Sequence, residues 1–191
     1  MKYGMNSLYT THVLLDKILD NKLLNETVVN LLSLTDLDDP PPEFDNEDIF
    51  EIGGSVLAQF RDEIVLPAYE KYLSTVLKMS LIEFNYTVKG WPTIPSTGYA
   101  NPTHNHPEAS FSAIFYLMTE ELNVGGDLCL LDPRSNANRA YTSKLRSSMF
   151  LTTSYTPISG DIIIFPSYMF HYTTPFKGNV RLAVATDLYL S

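Results

Sequence analysis

The sequence has little cysteine, little histidine and no long apolar run. Cys129 is the only cysteine, which excludes an intrachain disulfide and is typical of a reducing compartment. No apolar stretch approaches the roughly 18 residues that a membrane-spanning helix needs. The amino terminus has neither the basic start nor the apolar run of a secretory signal. We therefore expect a soluble, cytoplasmic protein without a membrane partner.

Basic residues are also few, with 13 Lys and Arg against 22 Asp and Glu. Residues 36–51 hold eight of the acids and no base, so the rest of the chain has 14 acids against 13 bases and is nearly neutral. No basic surface that could bind phosphate groups is indicated, and we do not expect a nucleic-acid partner. The acidic stretch 35–49 contains Pro40-Pro41-Pro42 and is predicted to be a solvated loop.

Length and composition predict one packed domain. The 191 residues are 45% hydrophobic and 12% aromatic, enough to bury a core without disulfides. We expect a single domain over residues 1–191, with a helical part in 1–80 and a β core in 81–191.

The helical part shows apolar residues at helical spacing in two regions. Residues 11–34 predict two helices, the first capped by Thr10 or Thr11 and the second by Asn25. Residues 56–77 predict one long amphipathic helix, or two that meet at Pro67.

From residue 81 the apolar pattern changes to a period of two, which indicates strands. The predicted strands are 81–88, about 103–107, 111–118, 127–131, 147–152, 161–165 and 180–190. Helices followed by a run of short strands predict an α+β protein in which the helices pack on one side of a β-sandwich or barrel.

Three of the four histidines lie in two places. His104 and His106 stand at i and i+2 of an extended segment and so point to the same face. His171, on another strand, would complete a facial metal site; neutral imidazole suits iron, zinc, copper and nickel, so the grouping does not name the metal. The alternative is that these are unrelated surface or core histidines. His12 is expected at the surface.

The last predicted strand carries a single cation among small side chains. Arg181, Ala183 and Ala185 share one face, while Val180, Leu182, Val184, Thr186 and Leu188 share the other. If the second face packs on the helices, Arg181 points into the barrel, where a guanidinium could bind a carboxylate through two parallel hydrogen bonds. The alternative is a surface salt bridge.

Several segments occur in an order typical of one family. His104-Asn105-His106-Pro107 is followed by Gly125-Gly126-Asp127-Leu128 and by Gly160-Asp161 with its run of isoleucines, then by His171 and Arg181. This order resembles the 2-oxoglutarate/Fe(II)-dependent oxygenase superfamily, and most of all its phage and bacterial branch with H-x-H-P, which is related to prolyl hydroxylases. The resemblance covers about residues 81–190.

The resemblance implies a fold and a set of site residues. The fold would be a double-stranded β-helix, a jelly-roll or cupin-like barrel, with Fe(II) held by His104, His106 and His171. Arg181 would bind the distal carboxylate of 2-oxoglutarate, helped by Tyr116 and Ser112; O2 is the other co-substrate, and ascorbate would support turnover. His106 stands where most members have a carboxylate, and Glu108 is an alternative ligand.

The implied reaction is hydroxylation of an unknown substrate with release of succinate and CO2. A peptidyl proline or other protein side chain is the first choice of substrate, and a small molecule is the alternative. The location would be the host cytoplasm if the chain is phage-encoded. Trp91 and Tyr99 would form a lid or substrate wall, or simply pack.

Two other functions stay open: a cupin-type metal-dependent dioxygenase that does not use 2-oxoglutarate, and a barrel that binds a metal or ligand without catalysis. The cupin spacing fits Gly98 and Gly160, but Ser110 and Phe111 stand where a cupin glutamate is expected.

Overall fold

The computed structural model describes residues 10–34, 48–52, 54–119, 124–134 and 141–191. The predicted acidic loop 35–49 lies mostly outside these residues. No helix in the described ranges is both long and apolar enough to cross a membrane.

The helices precede most of the sheet strands. The helix α1 spans Asn21–Leu34, and Asp20 begins it, because its Oδ1 accepts hydrogen bonds from the backbone N–H groups of Lys22 and Leu23. A short helix α2 (Ile49–Ile52) is followed by α3 (Gly54–Phe60) and α4 (Leu66–Tyr72).

The predicted long helix over 56–77 is confirmed in its extent but is not uniform. The π-helical turns Arg61–Val65 and Leu73–Leu77 follow α3 and α4 directly. Pro67 lies within the first turn of α4. Proline has no N–H to donate, and the wider π turn immediately before it accommodates that loss without ending the helical path.

The described residues form eight strands in two antiparallel sheets. The strands are β1 (Leu14–Lys17), β2 (Tyr86–Thr93), β3 (Phe111–Thr119), β4 (Leu128–Leu130), β5 (Thr153–Tyr155), β6 (Asp161–Pro166), β7 (His171–Thr173) and β8 (Arg181–Leu190). The larger sheet has the order β1-β6-β3-β8-β2 and the smaller the order β5-β4-β7. A short helix α5 (Ser143–Met149) precedes β5. This is the predicted α+β double-stranded β-helix.

The large sheet has one face against the helices and one toward the small sheet. In β8, Leu182, Val184 and Leu188 belong to the core that includes Phe60, Tyr69 and Tyr72 of the helical region. Ala183 belongs instead to a cluster shared with Leu128 and Leu130 of the small sheet. The predicted packing of helices on one sheet, and the predicted alternation along the last strand, are therefore confirmed.

Several element boundaries were predicted wrongly. Residues 14–17 form β1 rather than a helix, because they pair with Ile164 through Asp161 at the edge of the large sheet. This partner is about 150 residues away along the chain, and the local apolar spacing cannot reveal it. Consequently Thr10 and Thr11 cap no helix, and Asn25 lies inside α1 rather than at its start.

The strand predictions also need correction. Residues 81–83 form a 3-10 turn capped by Ser80, so that strand begins at Tyr86. Residues 103–107 contribute only an isolated bridge between His104 and His171. Residues 147–152 fall at the end of α5 and the loop after it, and β7 was not predicted.

Candidate metal centre and co-substrate pocket

Three imidazoles meet at the inner face of the barrel. The bridge between His104 and His171 pairs their backbones, with hydrogen bonds of 2.9 and 2.8 Å in the two directions. The backbone N–H of His106 donates to the carbonyl of Ser167, 3.1 Å away. These contacts fix the H-x-H segment beside β7, and one potential ligand atom of each ring lies within 4.8 Å of the others. The sequence prediction that the three rings converge is confirmed. His12 is exposed and lies outside this group.

The Nδ1 atom of each ring is hydrogen-bonded to an oxygen of the protein. His104 Nδ1 lies 2.7 Å from the Pro102 carbonyl, His171 Nδ1 lies 3.0 Å from the Met169 carbonyl, and His106 Nδ1 lies 2.7 Å from Asp187 Oδ2. Carbonyl and ionised carboxylate oxygens only accept, so each Nδ1 carries a hydrogen, and in the neutral form of each ring Nε2 keeps its lone pair. All three rings are therefore held in the tautomer that binds metals through Nε2.

The environments of the His106 and His171 rings agree with a metal site. His106 Nε2 is buried and has no hydrogen-bond partner among the described residues, a costly arrangement unless something binds there. The pKa of His171 is lowered to about 4, chiefly by burial; the hydrogen bond to the Met169 carbonyl opposes this shift, His104 and His106 add to it, and the charge of Asp187 opposes it slightly. His171 is thus a neutral donor at neutral pH, as metal binding requires. The donor set fits Fe(II), which accepts imidazole nitrogen.

Glu108, the alternative ligand, is placed differently. Its side chain is exposed, and the group of candidate ligands found among the described residues consists of His104, His106 and His171. Residues 107–108 form a turn that follows His106 directly.

Arg181 lines the same cavity as the three histidines, at its other end. It is buried, and it donates from Nη1 to the carbonyl of Gly126 (2.6 Å) and from Nη2 to the carbonyl of Gly125 (2.9 Å). The guanidinium also lies over the ring of Phe176, 4.7 Å from its centroid. The surface salt-bridge alternative is therefore wrong for Arg181.

Gly125 and Gly126, named from the sequence only as part of the family resemblance, lie where the structure has no room for a side chain. Gly126 has φ +68°, and a Cβ placed there would overlap the Arg181 guanidinium; one at Gly125 would overlap the Pro175 carbonyl. Glycine is therefore required at Gly126 for two reasons, backbone conformation and the space that the arginine fills.

Tyr116 and Ser112 lie on β3, on the same face as the cavity. Tyr116 is buried, which raises the pKa of its phenol, while the charge of Arg181 acts in the opposite direction. The phenol is therefore a neutral hydrogen-bond donor near Arg181. Ser112 donates its hydroxyl to Asp187 Oδ1 at 2.6 Å, so it lies at the His106 end of the cavity, and its contact with 2-oxoglutarate stays a prediction.

Asp187 is the residue that sequence reasoning missed. It is buried and accepts hydrogen bonds from both His106 and Ser112. Along β8 it has the same parity as Arg181, Ala183 and Ala185. An acid at an inward position of a buried strand was the pattern that could have identified it.

A cavity of about 620 Å³ joins these groups. Its lining includes the three histidines, Arg181, Tyr116, Ser112, Asp187, Trp91, Tyr99, Glu108 and Tyr189. Trp91 stacks on His106 with ring centroids 5.8 Å apart and planes 18° apart. Trp91 is thus a wall of the site, fixed in β2.

The cavity arrangement agrees with a sequence comparison. The model of the family described as "Putative 2OG-Fe(II) oxygenase" matches residues 89–187, a range that holds the three histidines, Arg181 and Asp187. The chain belongs to this family. It is a 2-oxoglutarate- and Fe(II)-dependent oxygenase by class, which decides against the cupin alternative. The finer placing in the H-x-H-P branch stays a prediction, and no curated protein matches the sequence.

Solved structures of other oxygenases share the fold. A prolyl-4-hydroxylase from Pseudomonas putida has a TM-score of 0.62 at 14% identity, over 94% of this chain and 93% of that one. HygX from Streptomyces hygroscopicus, solved with nickel and 2-oxoglutarate bound, has a TM-score of 0.62 at 15% identity, over 94% and 83%. A 2OG-Fe(II) oxygenase-family oxidoreductase from Burkholderia pseudomallei has a TM-score of 0.53 at 10% identity, over 72% of this chain; the chain spans 58% of its length.

Proposed function

We propose that this oxygenase holds Fe(II) with His104, His106 and His171, binds 2-oxoglutarate with Arg181 and Tyr116, and hydroxylates a protein or peptide side chain. The observation that carries the proposal is the convergence of three imidazoles, each with its Nδ1 occupied, in one cavity with a buried arginine.

The histidines would provide three nitrogen ligands and leave the remaining iron positions to the co-substrate and O2. Bound iron would supply the oxidising chemistry by which 2-oxoglutarate, O2 and a C–H bond of the substrate give succinate, CO2 and the hydroxylated substrate, with one oxygen atom entering succinate and the other the substrate. The protein's own contribution is orientation: the carbonyls of Pro102 and Met169 and the carboxylate of Asp187 fix the three rings before any metal binds.

The end of the cavity near Arg181 would receive the distal carboxylate of 2-oxoglutarate. The carbonyls of Gly125 and Gly126 fix the plane of the guanidinium, and Phe176 covers one side of it. A positioned guanidinium binds a carboxylate more strongly than a mobile one, because less side-chain freedom is lost on binding. Tyr116, neutral and buried, would add a hydrogen bond to the same carboxylate.

A protein or peptide substrate is supported by the composition of the cavity. Its lining includes the aromatic side chains of Trp91, Tyr99 and Tyr189, which offer flat apolar surfaces to an extended chain. The prolyl-4-hydroxylase from Pseudomonas putida, with the same fold, makes peptidyl proline the first substrate to test. A small molecule remains the second.

The proposal is tested by measuring succinate formed from 2-oxoglutarate by the purified protein with Fe(II), ascorbate and O2. Slow succinate release without added substrate is expected, and it should be lost in His171→Ala. Incubation with proline-containing peptides should increase this rate and add one oxygen atom to the peptide, seen by mass spectrometry.

A matched control is His12→Ala, which changes the exposed histidine outside the cavity and should keep the wild-type rate. Absence of succinate under all conditions, with Fe(II) bound and the fold intact, would instead support a barrel that binds metal without turnover.

A further inference from the structure

The ligand group found in the part of the chain that the structure describes consists of three histidines, without the carboxylate of the common facial triad of two histidines and one carboxylate. Three neutral imidazoles around a divalent ion leave the site one negative charge short of that arrangement. Within the described ranges, the carboxylate that is hydrogen-bonded to a ring of this group is that of Asp187, 2.7 Å from His106 Nδ1.

Asp187 is held in place from both of its oxygens. Oδ2 accepts from His106 Nδ1 at 2.7 Å and Oδ1 accepts from the Ser112 hydroxyl at 2.6 Å. Ser112 and Asp187 are direct partners in the pairing of β3 with β8, so the main chain of the large sheet sets the position of the carboxylate. The Asp187 side chain is 5% exposed.

The other two rings differ from His106 in the kind of oxygen that accepts their Nδ1 hydrogen. His104 and His171 donate to the neutral carbonyls of Pro102 and Met169, whereas His106 donates to a carboxylate. A carboxylate acceptor draws the Nδ1 hydrogen and increases the electron density on the opposite nitrogen, so the ring becomes a stronger donor toward a cation. His106 is also the ring at the sequence position where the wider family has its carboxylate ligand.

We propose that Asp187 is a positioning residue that supplies, through the ring of His106, the negative charge that a directly bound carboxylate would otherwise provide. The charge of the centre is then the same as in a site with two histidines and one carboxylate, but it lies one imidazole away from the metal. This inference rests on the proposed function, because it assumes that His106 binds the metal.

The first test compares Co(II) and Fe(II) affinity, measured without O2 by competition with a chelating dye, in the wild type, Asp187→Asn and Asp187→Ala. Asparagine keeps an acceptor oxygen of the same shape and removes the charge, whereas alanine removes both. We expect Asp187→Asn to lose about 10- to 100-fold in metal affinity and to shift the visible absorption bands of bound Co(II). Asp187→Ala should lose more.

The matched control is Glu108→Gln, which neutralises the exposed carboxylate in the same cavity. It should leave the affinity and the Co(II) spectrum unchanged. Thermal unfolding of the metal-free variants measures any structural damage separately, since an effect of Asp187 on folding alone would lower that transition without moving the Co(II) bands.

A second test asks whether the charge acts through His106. In His106→Asp the ligand itself carries the negative charge and no ring remains to be aligned. Adding Asp187→Asn to that variant should therefore cost less than about threefold, against the 10- to 100-fold loss in the wild-type background. Equal losses in both backgrounds would mean that Asp187 acts only on the general structure.

The outcomes separate the two proposals. If the wild type binds Co(II) and Fe(II) but Asp187→Asn binds them equally well with an unchanged spectrum, the role of Asp187 is wrong while the metal site stands. If the wild type itself binds neither metal, both proposals are wrong.

Discussion

Gly126 and Arg181 fit together so closely that the glycine carbonyl accepts a 2.6 Å hydrogen bond from the guanidinium, while a side chain on that glycine would overlap it. The two residues lie 55 positions apart in the sequence. The turn before β4 therefore sets the position of the cation that is proposed to bind 2-oxoglutarate.

Gly126→Ala should displace the Arg181 guanidinium and raise the KM for 2-oxoglutarate at least tenfold, while metal affinity stays close to that of the wild type. The control is Gly54→Ala, because Gly54 has nearly the same backbone angle, φ +67°, but open space where its Cβ would lie. Both variants should lose about 1–2 kcal/mol of folding stability from the left-handed conformation. If both variants keep the wild-type KM, Gly126 does not position the guanidinium of Arg181.

Arg181→Leu removes the charge itself. A charge-assisted hydrogen bond is worth about 1.5–3 kcal/mol, so the loss of two predicts a KM for 2-oxoglutarate higher by two orders of magnitude or more. Metal affinity measured without the co-substrate should change little, because the candidate ligand group consists of the three histidines and does not include Arg181. Steady-state kinetics with varied 2-oxoglutarate checks this, and an unchanged KM would show that Arg181 does not bind the co-substrate.

Tyr116→Phe should have a smaller effect of the same kind. The substitution removes one neutral hydrogen bond, worth about 0.5–1.5 kcal/mol. It keeps the ring that packs in the apolar cluster with Leu128 and Leu130. We expect a rise of about two- to tenfold in the KM for 2-oxoglutarate and an unchanged thermal unfolding transition. A wild-type KM would assign Tyr116 to packing alone.

The fold and the grouping of the three candidate ligand histidines could be predicted because they leave local patterns in the sequence. The two imidazoles at i and i+2, the alternation along residues 181–188 and the helical spacing over 56–77 each follow from the geometry of a single element. β1 could not be recognised in this way, because Leu14 to Lys17 become a strand only by pairing with β6.

The supporting residues of the site were harder to predict, since they depend on contacts between distant elements. The hydrogen bonds of Arg181 join residues 125 and 126 to β8. The hydrogen bond between Asp187 and His106 joins β8 to the H-x-H segment. Ser112 and Tyr116 have the same parity along β3, which is why both are predicted to face the co-substrate. Parity gives the face of a strand but not the position along it, and Ser112 lies opposite Asp187.

The metal-free protein should lose stability as the pH falls from about 6.5 to about 4 because of His171. Its pKa is about 4 in the folded state, below the ordinary value of 6.5, so in this range the unfolded chain takes up a proton that the folded chain does not. Integrated over that window, the difference amounts to about 3 kcal/mol.

Urea unfolding of the metal-free protein between pH 7 and pH 4 checks this. Carboxylates also contribute to the pH dependence, so the comparison is with His171→Gln, which should show a shallower decrease in the free energy of unfolding. His12→Gln, at an exposed site, should keep the wild-type slope. Parallel curves for His171→Gln and the wild type would contradict the burial argument.

The most direct measurement is a crystal structure of the protein soaked anaerobically with Fe(II) and N-oxalylglycine, an unreactive analogue of 2-oxoglutarate, with anomalous scattering recorded at the iron edge. The account predicts one iron within about 2.1 Å of the Nε2 atoms of His104, His106 and His171, and the distal carboxylate of the analogue against Arg181. Iron bound elsewhere, or an analogue that leaves Arg181 untouched, would contradict it.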